Sequence, residues 1–149
     1  MNKYPRVVKS NLPTECILLL NRLKNVVESD TFNSKSNLSW TEVKKVLSGI
    51  TLYYQKDSKK VNIPDVVSEN TIWVNLSSPK GRNFAKFLRH SFAHNYVTYD
   101  IQNKTISIIL PNTDGNSLKM NCKISKKTLS KIVEIYEQFY DKKKNENHN

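Results

Sequence analysis

The chain has 149 residues, with 24 lysines and arginines against 13 aspartates and glutamates, for a formal charge of +11. Its length suits one domain around a single core. No apolar run of about 18 residues offers a membrane span, and the start, MNKYPRVVKSN, lacks the apolar centre of a secretory signal.

Such a charge points to an anionic partner. Only Arg6, Arg22, Arg82 and Arg89 are arginines, however, and the lysine and asparagine bias of an AT-rich genome accounts for the excess equally well. In the tail, Lys142, Lys143, Lys144 and Glu146 contribute +2 of the +11, so +9 remains on the rest of the chain. Cys16 and Cys122 are far apart and outside any metal-ligand spacing, which fits a reduced, cytoplasmic setting. Residues 1–141 are expected to form one helical domain, and 142–149 a solvated, disordered charged tail.

A first helix is predicted from Pro13 to about Ser29, with Pro13 at its start and Glu15 in the first turn. Ser39 and Glu42 form a Ser-x-x-Glu capping box for a second helix. Its apolar residues Trp40, Val43, Val46, Leu47 and Ile50 recur at helical spacing. That spacing makes Trp40 core, whereas Trp73 is undecided between packing and base stacking. Residues 55–76 read as a polar QKDSKK loop, a helical turn at IPDVV and an extended NTIWVN. A third helix begins at Ser78-Pro79, buries Phe84, Phe87, Leu88 and Phe92, and ends near His94. The period then changes to alternation in YVTYDIQNKTISIIL, with turns at IQNKT and PNTDGNS and a short strand at LKMNCKI. Ser125 opens a last helix carrying Leu129, Ile132, Val133, Tyr136, Phe139 and Tyr140. The expected plan is mainly α, with a small β-meander inserted before the last helix.

Two of the three histidines, His90 and His94, fall four residues apart at the end of the third helix, beside Arg89. On a helix they share a face, and cations suit a helix C-terminus. Imidazole suits proton transfer near neutrality. A guanidinium holds two phosphate oxygens at once. Such a set could cleave RNA without a metal, using the 2′-hydroxyl as nucleophile. Simple capping of helix-end carbonyls is the competing reading. His-x3-His can also grip zinc, but Asp100 is the nearest acidic residue, so no metal or cofactor is expected. Lys119, Lys123, Lys126 and Lys127 read either as a basic rim to an RNA cleft or as a solvated face.

The amphipathic helix ending in FLRHSFAHN, the hairpin after it and the closing helix resemble the HEPN superfamily, over residues 78–141. The wording is closest to its hairpin-containing pEK499_p136-like branch. The family pattern is Arg, a polar residue, three more residues, then His; here the polar residue is His90. The resemblance implies an up-and-down helical bundle, a homodimer, and metal-independent endoribonuclease activity leaving a cyclic phosphate. Arg89 would hold the phosphate, His94 would be the acid/base, and His90 would orient the site or assist. Many HEPN proteins serve in toxin–antitoxin, abortive-infection or antiviral defence systems, and some only bind RNA or a protein partner. Residues 89–96 also read Arg-x4-His-x-Tyr, similar to HEPN toxins whose tyrosine is adenylylated by a partner nucleotidyltransferase. Tyr96 is the candidate for that modification, or simply the start of a strand.

Overall fold

The computed structural model describes residues 3–6, 11–55 and 59–140. The charged tail, His148 and part of the QKDSKK loop lie outside the described residues.

Helix α1 (Thr14–Val27) buries Cys16, Leu19, Leu20, Leu23 and Val26, one stripe at helical spacing. A short α2 (Asp30–Ser34), not anticipated from the pattern, begins where the Ser29 hydroxyl accepts from the Phe32 N–H at 3.2 Å; it buries Phe32 completely. Helix α3 (Trp40–Val46) starts as expected, with Ser39 Oγ accepting from the Glu42 N–H. Gly49, at φ +88°, turns the chain into strand β1 (Thr51–Tyr54). Strand β2 (Thr71–Val74) follows, then α4 (Lys80–Ala93), β3 (Val97–Asp100), β4 (Thr105–Pro111), β5 (Leu118–Ser125) and α5 (Lys126–Tyr140). The IPDVV segment forms no helical turn. Ser125 Oγ accepts from the Thr128 N–H and so caps α5.

The expectation of a mainly α, up-and-down bundle is overturned. The meander does not stand alone. It continues through β2 and β1 into a five-stranded mixed sheet of order β1-β2-β5-β4-β3, in which only β1 and β2 are parallel. The physical reason is burial. Ile72 and Val74 of β2 join Ile106, Ile108 and Leu110 of β4 and Met120, Cys122 and Ile124 of β5 in the same core as the helices. A sheet with one apolar face must cover it, and α4 lies against β4 while α1 packs on α5 and α4. The result is an α+β domain of two layers.

On the other face Tyr53, Trp73, Asn121 and Ile109 form one cross-strand row. Trp73 stacks on Tyr53 with ring centroids 3.9 Å apart. Trp40 packs edge-on against Phe84 and Tyr54, as its core spacing implied. The Asn121 amide donates to the carbonyls of Pro64 and Asp65 at 3.0 and 3.2 Å, which ties the loop before β2 across this face. Edge strand β3 is closed by the Asn11 side chain, which donates to the Tyr99 carbonyl at 2.7 Å and accepts from its N–H at 3.0 Å. No helix among the described residues is long and apolar enough to cross a membrane.

Candidate functional site

Helix α4 is held from both ends of its length. At its start, Gly81 lies against the Leu38 backbone, and the buried Tyr136 hydroxyl donates to the Gly81 carbonyl. At its end, Asn95 takes the left-handed conformation at φ +62°, which asparagine tolerates and which stops the helix. The Tyr96 N–H then bonds the Ser91 carbonyl at 2.9 Å, and the Ile109 N–H bonds the Tyr96 carbonyl at 3.2 Å. The turn out of α4 is thereby joined to the hairpin, with Tyr96 beneath the helix end.

Lys86, His90 and His94 recur every four residues and share one face of α4. The two imidazoles stack, centroids 4.4 Å apart and planes at 30°. They border a cavity of about 470 Å³ whose opposite wall comes from the turn between β4 and β5. Tyr96, only 9% exposed, forms part of the wall. Lys119 enters from β5 because the strand is irregular there. Leu110 pairs with Met120 and Pro111 with Leu118, so Lys119 has no partner of its own on β4. Its ammonium lies 5.9 Å from the centre of the Phe87 ring. Arg6 reaches the same cavity from the N-terminal segment. Arg6, Lys86 and Lys119 line it, and among the described residues no carboxylate does.

The electrostatics follow from that census. Burial, then the neighbouring His94, Arg89 and Lys119, hold the His90 imidazole below its ordinary value of 6.5.

Arg89 is placed differently. Its Nη2 donates to Glu28 Oε1 at 2.7 Å, just beyond the end of α1, and the guanidinium does not line the cavity. The Arg89 hydrogen bond is the main reason the Glu28 carboxyl is held below the usual carboxylate range. Arg89 Nε is buried without a hydrogen-bond partner among the described residues. Of the four lysines singled out in the sequence, Lys119 alone borders the imidazoles. Lys123 pairs with Thr71 and Ser107 in the sheet, Lys126 forms an ion pair with Glu15, and Lys127 borders a groove between α1 and α5. That groove is larger, about 590 Å³, but among the described residues no imidazole lines it. Chemistry rather than size therefore selects the cavity at His90 and His94. Among the described residues no cluster of three or more His, Cys, Asp or Glu is arranged to hold a metal ion.

Arg6, Lys86 and Glu28 were not singled out in the sequence. Lys86 was detectable, being one turn before His90. Arg6 and Glu28 carried no local signal, since only the fold brings them to α4.

Helix α4 carries Arg-x4-His at its end and is followed by the β3–β4 hairpin, β5 and the closing amphipathic helix α5. The family model described as HEPN pEK499 p136 matches residues 12–147, and the chain belongs to that family. No curated protein and no solved structure gives a significant match.

Proposed function

We propose that the protein is a metal-independent endoribonuclease of HEPN type, acting at the cavity bordered by His90 and His94. The stacked imidazole pair, opening into a space lined among the described residues by cations and no carboxylate, carries this reading. One imidazole takes the proton of an RNA 2′-hydroxyl as that oxygen attacks the adjacent phosphorus. The other protonates the departing 5′-oxygen, leaving a 2′,3′-cyclic phosphate. His94 is assigned as the principal acid/base and His90 as its partner. Arg89 is assigned to charge stabilisation, since its field already reaches His90 from the Glu28 side.

The proposed setting is a homodimeric effector in a toxin–antitoxin, abortive-infection or other defence system. Where a nucleotidyltransferase antitoxin acts on Tyr96, the adenylyl group would occupy the same cavity and block it. The test is incubation of the purified protein with RNA in EDTA. Cyclic-phosphate ends are expected from the wild type and none from His94→Ala or Arg89→Ala. Equal cleavage by all three proteins overturns the reading. The engagement of Arg89 by Glu28, outside the cavity, favours a second reading: an inactive HEPN-like module that binds RNA or a protein. A mobility shift with no cyclic ends would decide for RNA binding.

A further inference from the structure

We infer that Arg6, delivered by an N-terminal strap, is the guanidinium that grips an RNA phosphate in the cavity at His90 and His94. The inference rests on the reading of that cavity as an RNA phosphodiester site. It assigns the direct contact to a residue outside the Arg-x4-His motif.

The strap is built, not draped. The Lys3 N–H donates to the carbonyl of Gly115, a residue on the cavity rim, at 3.0 Å. The Tyr4 hydroxyl donates to Asp65 Oδ1, and Lys3 Nζ lies 2.9 Å from Asp65 Oδ2. Asp65 is itself fixed, because its carbonyl accepts from the Asn121 amide on central strand β5. A chain of contacts thus runs from the sheet through Asp65 to Tyr4, two residues from Arg6. Its effect is to set Arg6 at the cavity.

The availability of the two guanidiniums differs. Arg89 is already engaged through Nη2 by Glu28 and does not line the cavity. Arg6 lines it, is exposed, and has no hydrogen-bond or ion-pair partner among the described residues. A guanidinium can hold two phosphate oxygens in one plane, which an ammonium cannot. Lys86 and Lys119 add charge around it.

The test measures binding of a fluorescein-labelled, unstructured 2′-O-methyl oligoribonucleotide by anisotropy over a salt series. The 2′-O-methyl group removes the nucleophile, so binding is read without cleavage. For the wild type, affinity should fall steeply with salt. Arg6→Ala should weaken binding several-fold and reduce the slope of log affinity against log salt by about 0.7, the loss of one single-strand phosphate contact. Arg6→Lys should keep most of the slope while recovering only part of the affinity. Tyr4→Phe, which loosens the strap at constant charge, should weaken binding in the same direction by less. Arg6→Ala with wild-type affinity and slope overturns this inference alone. A wild type that binds no oligonucleotide at any salt concentration overturns both it and the RNA reading on which it rests.

Discussion

Gly81→Ala sets two effects of opposite sign against each other. Gly81 sits in the first turn of α4, where alanine is the better helix former by at most about 1 kcal/mol. Propensity alone therefore predicts stabilisation. The packing says otherwise. A Cβ at Gly81 would overlap the Leu38 carbonyl oxygen and lie 3.1 Å from the carbonyl carbons of Leu38 and Ser39. Real Cβ atoms come no closer than about 3 Å to such an oxygen, and this one would lie about an ångström inside that limit, so α4 and the segment before α3 must part by about an ångström or more. The obstruction is backbone, which cannot swing aside as a side-chain tip can. Overpacking of this kind costs about 1–3 kcal/mol. The shift also strains the bond from the Tyr136 hydroxyl to the Gly81 carbonyl. The net expectation is a loss of about 1–2 kcal/mol, or a Tm lower by about 2–8 °C at this chain length. Thermal melting by circular dichroism, with urea midpoints as a second measure, reads the difference. An unchanged or higher Tm would refute the contact between α4 and Leu38, and with it the docking of the helix that carries both imidazoles.

His90 gives a pH prediction whose sign is set by its lowered pKa. Between the folded value and the unfolded value, near 6.5, the unfolded chain binds more protons, so stability is complete above that interval and falls as pH drops through it; His90→Gln should flatten this part of a plot of urea midpoint against pH, and an unaltered plot would count against the assignment. Burial raises the thiol pKa of Cys16 and, far more strongly, of Cys122, which is fully enclosed; both should resist a thiol reagent in the native protein and react on denaturation, whereas rapid native labelling would contradict the packing. Asn11→Ala removes two hydrogen bonds to the Tyr99 backbone at the β3 edge, an exposed site, so a cost of about 0.5–1 kcal/mol and faster amide exchange at Tyr99 are expected; unchanged exchange there would refute the edge closure.

The elements that could be read from the sequence were those whose signal is local. The capped starts at Ser39 and Ser125 depend on a side chain and an N–H three residues on, and both formed. The switch from helical to alternating spacing at Tyr96 likewise marked the end of α4 and the hairpin. The sheet was harder to see because β1 and β2 are four residues each, too short for period two to declare itself. Their status depends on pairing. Thr71–Val74 becomes a central strand only because β5 lies antiparallel on one side and β1 parallel on the other. At the site, the facing of His90 and His94 followed from helical geometry alone. The direction taken by Arg89 did not, because it depends on Glu28, 61 residues away, arriving at the end of α1.

The cavity also has a charge problem that a ligand would solve. Arg89 and Lys119 each disfavour a proton on His90, and so does a protonated His94. Arg6 and Lys86 add positive charge to the same walls. Without an anion His90 resists protonation, which under the proposed mechanism would suit a general base but not an acid. A phosphodiester reverses the balance, because its negative charge stabilises an imidazolium beside it. On the proposed reading, binding of a phosphodiester should therefore draw a proton onto His90. By linkage, affinity for the 2′-O-methyl oligonucleotide should rise as pH falls toward the His90 titration. That extra gain should disappear in His90→Gln, whereas Arg6→Ala should weaken binding at every pH. The separation follows from the chemistry of the two groups: the guanidinium is always charged, and the imidazole becomes so when the phosphate arrives.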